Sequence, residues 1–437
     1  MEVFNENYFN NCVLRLSESK TVEDVFHAWL NLCCLHPELD AIVALPNYDR
    51  VIPLRHKVVD SHIYRKYLVH YFSKENLYFI NDELIRTTIK NNQVKIPIDY
   101  TLAFDTNLAS YIKTIVQGGR LGKNQSKIIE LLDQLLHDDL NYDHLFYLTE
   151  NTKSVYVRAL TSGSSSNPFQ FWKSLNKKFR WNLISLELFR AVDCKKYKKT
   201  SSPESILNFR SAVRNAIRYT FDFYASENGK NRTIKLLRIQ RIILLYLLQM
   251  YNIQFSSDKG GRKKLDEFLH YVHNNIGVYL ERETIIAHKY FTDRKNSPFL
   301  NQVNLGTMPK GFLKVIDNIA WDMMVPRFME ELIAFAGEGS YMIPFFLTFD
   351  DELRDLLNAF PIKSTIINNQ SGALIPIPEM NSYDYFIKNG CEESIEWFFS
   401  EESKVKRRNN YLDNLKSINF EILKEYRKLR KVYLNKK

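Results

Sequence analysis

Glycine and proline are scarce, at 14 and 13 of 437 residues. So few chain breakers favour long regular elements and argue against a loop-rich or all-β fold. The cysteines are five (Cys12, Cys33, Cys34, Cys194 and Cys391), odd in number and without C-x-x-C spacing. They suggest neither a disulfide framework nor a zinc knuckle, and point to a reducing compartment. The opening MEVFNENYFNN has neither a basic n-region nor an apolar h-region, so no secretory leader is expected. The longest apolar run, Ile242 to Leu248, falls far short of a bilayer span. A cytoplasmic protein without a membrane partner is the expectation. Phosphate-cradle, dinucleotide and hydrolase-elbow glycine motifs are also missing, which argues against those enzyme classes.

Aromatic side chains and positive charge are plentiful. There are 25 Tyr and 29 Phe, and the net charge is +10. The charge is clustered: residues 403–437 carry 12 Lys and Arg against 3 acids, while residues 382–402 carry 6 acids and one Lys. Residues 173–199 hold 9 basic and 2 acidic residues, and residues 229–241 hold 5 basic residues and no acid. Such clusters meet phosphates, with Lys177, Lys178, Arg180, Lys235, Arg238 and Arg241 as the candidate RNA contacts. The competing explanation for each cluster is a solvated helix face.

Hydrophobic spacing predicts an α/β protein that is mostly helical. Residues 1–92 read as a mainly helical section, with a helix opened by Thr21-Val-Glu-Asp, a strand at 41–45 and an amphipathic helix at 61–72. Residues 94–104 form the best strand candidate, and a helical start at 108–116 follows. Residues 142–160 read as helical throughout, and Thr161 to Pro168 as a loop. Helices are predicted over 169–194, 203–225, 233–251, 263–274 and 279–291. Strand signals return at 342–348 and 364–368. The tail is one helix with an apolar stripe at 411, 415, 418, 422, 426, 429 and 433, packing on the body or on a partner chain.

Two strand ends look alike. LAFDTN places Asp105 after one strand and PFFLTFDDEL places Asp350 and Asp351 after another. In parallel α/β sheets, sites assemble at that edge. Between them, Asp322 interrupts the apolar stretch Asn318 to Met324, where a carboxylate is costly unless paired or bound to a cation. Carboxylates gathered from separate elements suit a hard divalent cation, which takes oxygen ligands and activates water against a phosphodiester. Each has a plainer reading: Asp105 and Asp350 as helix caps, Asp322 in a buried ion pair, Glu150 as a surface residue.

With Asp105-Thr106-Asn107, Glu150 about forty residues on, Trp321-Asp322 and Thr348-Phe349-Asp350, the chain resembles the PIN-like nucleases over 95–160 and 310–370. The resemblance implies a parallel-sheet core and a metal-dependent endoribonuclease. Asp105, Asp322 and Asp350 would hold Mg2+ or Mn2+, and Glu150 or Glu283 would complete the site. Asn107, Thr348 and Asp351 would support the ligands or bind water. A toxin or antiviral defence role is common among such nucleases. The chain departs from the compact family pattern, since the core would be residues 93–160 and 310–380, interrupted by a helical insertion at 161–309 and followed by a basic helical tail at 381–437.

Three other readings stand beside this one. Arg65 to His70 and Arg282 to His288 match the R-x(4–6)-H spacing of metal-independent HEPN ribonucleases, a spacing that recurs by chance with 10 His. His270, His273 and Glu267 have one-face spacing for a transition metal but lack a fourth ligand. A non-catalytic RNA-binding or scaffold protein would also use the basic helices and aromatic rings. The tail helix is the expected face for a homo-oligomer or a regulatory partner.

Overall fold

The computed structural model describes residues 6–33, 36–46, 62–74, 76–89, 98–121, 125–140, 142–161, 167–305, 311–334 and 341–435. The chain is mostly helical, with two small four-stranded sheets. It divides into two compact units, Met1–Lys230 with Pro326–Glu379, and Asn231–Val325 with Met380–Lys437. The helical stretch 161–309 is thus shared between them, its first part to residue 230 belonging to the first unit.

The chain begins with α1 (Glu6–Glu18) and α2 (Val22–Cys33), then β1 (Leu39–Ala44). Thr21 and Asp24 form a reciprocal cap at the start of α2. Next come α3 (His62–Arg65), β2 (Leu68–His70), β3 (Leu77–Ile80), α4 (Asp82–Ile89) and β4 (Ile98–Phe104). The helix expected over 61–72 is a single short helix followed by a strand. Leu68 to His70 is bulky and apolar enough to pair antiparallel with β6 (Tyr341–Leu347), and tertiary pairing overrides the local helical spacing.

Beyond β4 lie α5 (Thr106–Val116), α6 (Gln125–Asp138), β5 (Tyr142–Asp143) and α7 (Leu145–Thr161). The expected helix at 142–160 therefore starts with a two-residue strand, which pairs parallel with β4. The long helix expected over 169–194 is broken by caps at Asn176 and Asp193 into α8 (Pro168–Ser174), α9 (Lys177–Arg190) and the start of α10 (Cys194–Thr200). Asn208 caps α11 (Phe209–Tyr224), so residues 203–208 are not helical.

The second unit is built from α12 (Glu227–Ser256), α13 (Gly261–Tyr271), a π turn (Val272–Ile276), α14 (Glu281–Thr292) and α15 (Phe312–Asp322). Chain order continues in the first unit with α16 (Val325–Ala334), β6, α17 (Asp351–Asn358), β7 (Ile362–Asn368) and β8 (Leu374–Pro378). The second unit closes with α18 (Ser382–Lys388), α19 (Glu392–Phe399) and α20 (Glu401–Asn435). Residues 242–248 of α12 are buried throughout, as expected for a core helix. Within the tail stripe, Ile418, Ile422 and Leu429 are buried. Gly277 ends the π turn at φ +80°, and a Cβ there would press on the backbone of Arg407 and Tyr411 in α20 at 3.2 and 3.3 Å.

In the first unit, one sheet is antiparallel, in the order β3-β1-β7-β8. Alternate residues of β1 (Leu39, Ala41, Val43) pack with Trp29, Leu32 and Leu16 of the first two helices. The second sheet, in the order β2-β6-β4-β5, has β6, β4 and β5 parallel. Its central strands are buried on both faces, as helix-covered parallel strands are. Among the described residues, no helix is long and apolar enough to cross a membrane.

Candidate functional site

Strands β4 and β6 run side by side in parallel, in register from Ile98 with Tyr341 to Phe104 with Leu347. Both therefore end at the same edge. The Asp105 N–H continues the ladder to Leu347 O at 3.3 Å. Beyond that point each chain turns into a helix, and the residues at the two turns are those singled out in the sequence.

Asp105 is buried, at 7% exposure, and caps α5: Oδ1 accepts from the Leu108 N–H at 2.6 Å. Its Oδ2 accepts from the Thr348 hydroxyl at 2.8 Å. Thr348 Oγ1 in turn accepts from the Asp350 N–H at 3.1 Å, and Asp350 Oδ1 caps α17 through the Leu353 N–H at 2.9 Å. Thr348 thus ties the two carboxylate turns together. Glu150, one helix away on α7, reaches the same place: its Oε2 accepts from the Thr106 N–H at 3.0 Å. Lys153 lies 3.7 Å from Glu150 Oε1. The first turn of α5 therefore holds two carboxylates, where the free N–H groups and the helix dipole favour negative charge.

That concentration of charge has a cost. Burial pushes the Asp105 carboxyl up to about 7, and the nearby Glu150 charge adds to the rise; the Leu108, Thr348 and Asn107 hydrogen bonds pull against it. Thr106 Oγ1 is buried beside these groups without a hydrogen-bond partner among the described residues.

Asp105, Glu150, Thr348 and Asp350 are thus brought to one edge. Asn107 is exposed in the first turn of α5, and Asp351, exposed, opens α17 and pairs with Arg354. Asp322 and Glu283 belong to the second unit. Asp322 is half-buried at the C-terminal end of α15, not in mid-helix, so the desolvation argument for it is weaker than its apolar neighbours suggested. Glu283 is buried in α14; burial raises the Tyr246 and Tyr279 hydroxyls, and the Glu283 charge adds to the rise. Lys177 and Lys178 are exposed at the start of α9, and Arg180 is half-buried with Nε unpartnered among the described residues. Lys235 and Arg238 are exposed on α12, while Arg241 lies 3.9 Å from Asp317.

Three of the histidines in the rival readings have structural partners. His288 is buried, with Nδ1 3.0 Å from the Tyr385 hydroxyl and Nε2 3.7 Å from Cys391 Sγ. His270 and His273 lay their rings against Trp397 at 4.1 and 5.1 Å, and Glu267 pairs with Lys259. Among the described residues, no group of three or more His, Cys, Asp or Glu is already arranged to hold a metal ion. The donor chemistry at the β4–β6 edge is nonetheless that of a hard cation: carboxylate oxygens and an orphaned hydroxyl. Each carboxylate oxygen has two lone pairs, so accepting one N–H leaves the other available.

Two features of this edge were not read from the sequence. Phe349, between Thr348 and Asp350, packs against Tyr67 at 4.6 Å and Tyr111 at 5.9 Å, and all three rings are half-exposed. The chain signal was the aromatic inside T-F-D; the other two rings come from β2's approach and from α5. At the end of β5, buried His144 places Nδ1 3.2 Å from Glu187 Oε1, while Glu187 Oε2 accepts from Asn215 at 3.2 Å. This pair fixes α9 and α11 to the strand end.

No protein-family model, curated protein or solved structure matches this chain.

Proposed function

We propose that this protein is a Mg2+- or Mn2+-dependent endoribonuclease of PIN-like type that cleaves single-stranded RNA. The observation that carries the reading is the meeting of Asp105 and Glu150 at one helix N-terminus, tied through Thr348 to Asp350 at the carboxyl edge of two parallel strands. Asp105, Glu150 and Asp350 would hold the ion, which when bound polarises a phosphodiester and lowers the pKa of its water. Thr348 keeps the Asp105 carboxylate turned toward the edge. The Phe349, Tyr67 and Tyr111 rings offer a face to an unpaired base, a contact that duplex bases cannot make. Lys177, Lys178 and Arg180 would carry backbone phosphates, so affinity should fall with salt.

A second reading has its own support, because Asp105 and Asp350 are both N-caps. In that reading the carboxylates serve the fold and the protein binds RNA or a partner without cleaving. Incubating the purified chain with labelled single-stranded RNA, with and without Mg2+ or Mn2+, separates the two. The nuclease reading expects metal-dependent cleavage that Asp105→Asn, Glu150→Gln and Asp350→Asn each reduce at least a hundredfold while RNA binding persists. Cleavage that survives all three substitutions, or no cleavage with intact binding, overturns it.

A further inference from the structure

The first unit holds a half-open cavity of about 460 Å3 at the opposite end of α5 from Asp105. Small-molecule pockets run from about 300 to 1,000 Å3 and are mainly apolar with a few placed polar groups. This cavity fits both criteria. Its walls are Ile115, Val116, Leu132, Leu136, Leu188 and Phe189, from α5, α6 and α9. Val116 and Ile129, both in the lining, stay exposed at 37% and 45%, uncovered by the described residues.

The polar groups decide what would enter. Residues at the C-terminal ends of α5 and α9 (Val116, Gly118 and Phe189) form part of the lining. Helix C-termini carry partial negative charge. Asp133, also in the lining, adds a formal negative charge. One of its oxygens accepts from the Tyr197 hydroxyl at 2.5 Å, and His137 Nε2 is 3.7 Å away. Burial and the Asp133 carboxylate push the Tyr197 hydroxyl up to about 12, so it remains the donor in that bond. Lys196, next to Tyr197 of the lining, is engaged by Glu204. The other lysines of α10 (Lys195, Lys198, Lys199) are exposed on a helix whose Tyr197 faces the lining.

We propose that this cavity is a binding site for a small lipophilic amine, with its apolar body against the α5, α6 and α9 side chains and its ammonium group at Asp133. The site is separate from the β4–β6 edge and does not depend on the nuclease reading.

Three naphthalene probes of one size and different charge test it: 2-naphthylmethylammonium, 2-naphthylmethanol and 2-naphthylacetate, followed by fluorescence anisotropy on the full chain. The ammonium probe should bind at least tenfold tighter than the alcohol, and the carboxylate weakest. Asp133→Asn should erase the preference for the ammonium over the alcohol while keeping binding of the alcohol. Ile129→Trp, at an exposed position of the mouth, should block all three probes without disturbing the core. Circular dichroism melts that match the unsubstituted protein exclude unfolding as the cause. Absence of binding, equal binding of the three charges, tightest binding of the carboxylate, or binding unchanged by Ile129→Trp would each overturn the proposal.

Discussion

Replacing Asp105 by Asn removes one negative charge and little else. The Asn Oδ1 still accepts from the Leu108 N–H, and Asn caps helices as well as Asp. The Asn amide can donate to Thr348 Oγ1, which already accepts from the Asp350 N–H and has a second lone pair. The variant should therefore fold, and its difference from the parent should lie in titration. Burial and Glu150 raise the folded Asp105 carboxyl to about 7, against an unfolded value near 3.9. A group raised in this way favours the folded state at low pH and loses that contribution as pH climbs through the folded value. Between pH 5 and pH 8 the parent should lose about 2.5 kcal/mol that the variant keeps.

Urea unfolding of both proteins across that range, read by far-UV circular dichroism, gives the difference directly. Asp105→Asn should gain on the parent as pH rises, by roughly 5 °C if melting temperatures are used instead. Parallel pH profiles would refute the account of Asp105 as a buried, charge-crowded carboxyl. A second arm bears on the ion. Mg2+ or Mn2+ bound at this edge favours the ionised carboxylates, so at pH 8 it should stabilise the parent and leave Asp105→Asn nearly unchanged. Equal stabilisation of both proteins would place any bound cation elsewhere.

Thr348→Val keeps the shape of the side chain but strands the Asp105 oxygen and the Asp350 N–H; it should cost about 1–3 kcal/mol in urea unfolding, and Thr348→Ser should restore most of it. Asp350→Ala removes the α17 cap and should cost about 1 kcal/mol, whereas Asp350→Asn should be nearly neutral for stability and still lose cleavage. Glu187→Ala leaves His144 and Asn215 without their buried partner and should destabilise by about 3 kcal/mol, visible as a lower urea midpoint with the slope unchanged. Burial and Arg262 push His288 down to about 4, so its contribution is present above the unfolded value near 6.5 and is lost as pH falls towards 4. His288→Gln should accordingly flatten the acid limb of the stability profile by about 3 kcal/mol at most, a slope opposite in sign to that of Asp105.

The β4–β6 edge was legible because of where it sits. Largely buried strands read as apolar runs, here residues 102–104 and 342–347, and each run stops on a polar turn, Asp105-Thr106-Asn107 or Thr348-Phe349-Asp350. Short edge strands were hidden for the converse reason. β2 and β5 have three and two residues, too few for a period to show, and they exist because β6 and β4 supply a ladder. The position of Asp322 within its helix was hidden by its neighbours: an apolar surrounding sequence says that a helix is buried, but not which residue ends it at a half-exposed position.

The choice between Glu150 and Glu283 was closed to sequence because both lie on helices at similar spacing from a candidate Asp. Glu150 is marked by a single backbone donor. The Thr106 N–H, the first of α5, has no partner within its own helix, and Glu150 supplies one. This also explains why the plain and the chemical readings of Asp105 could not be told apart from the chain alone. A helix cap and a cation ligand require the same residue in the same place, an acid just before the first turn. A cap needs only one carboxylate, however, and Asp105 already supplies it through Leu108. Glu150 satisfies a second first-turn donor, the Thr106 N–H, but its charge also adds to the rise that burial already imposes on the Asp105 carboxyl. That excess of negative charge is the part of the site a fold-only account leaves over, and it is the part a divalent cation would neutralise.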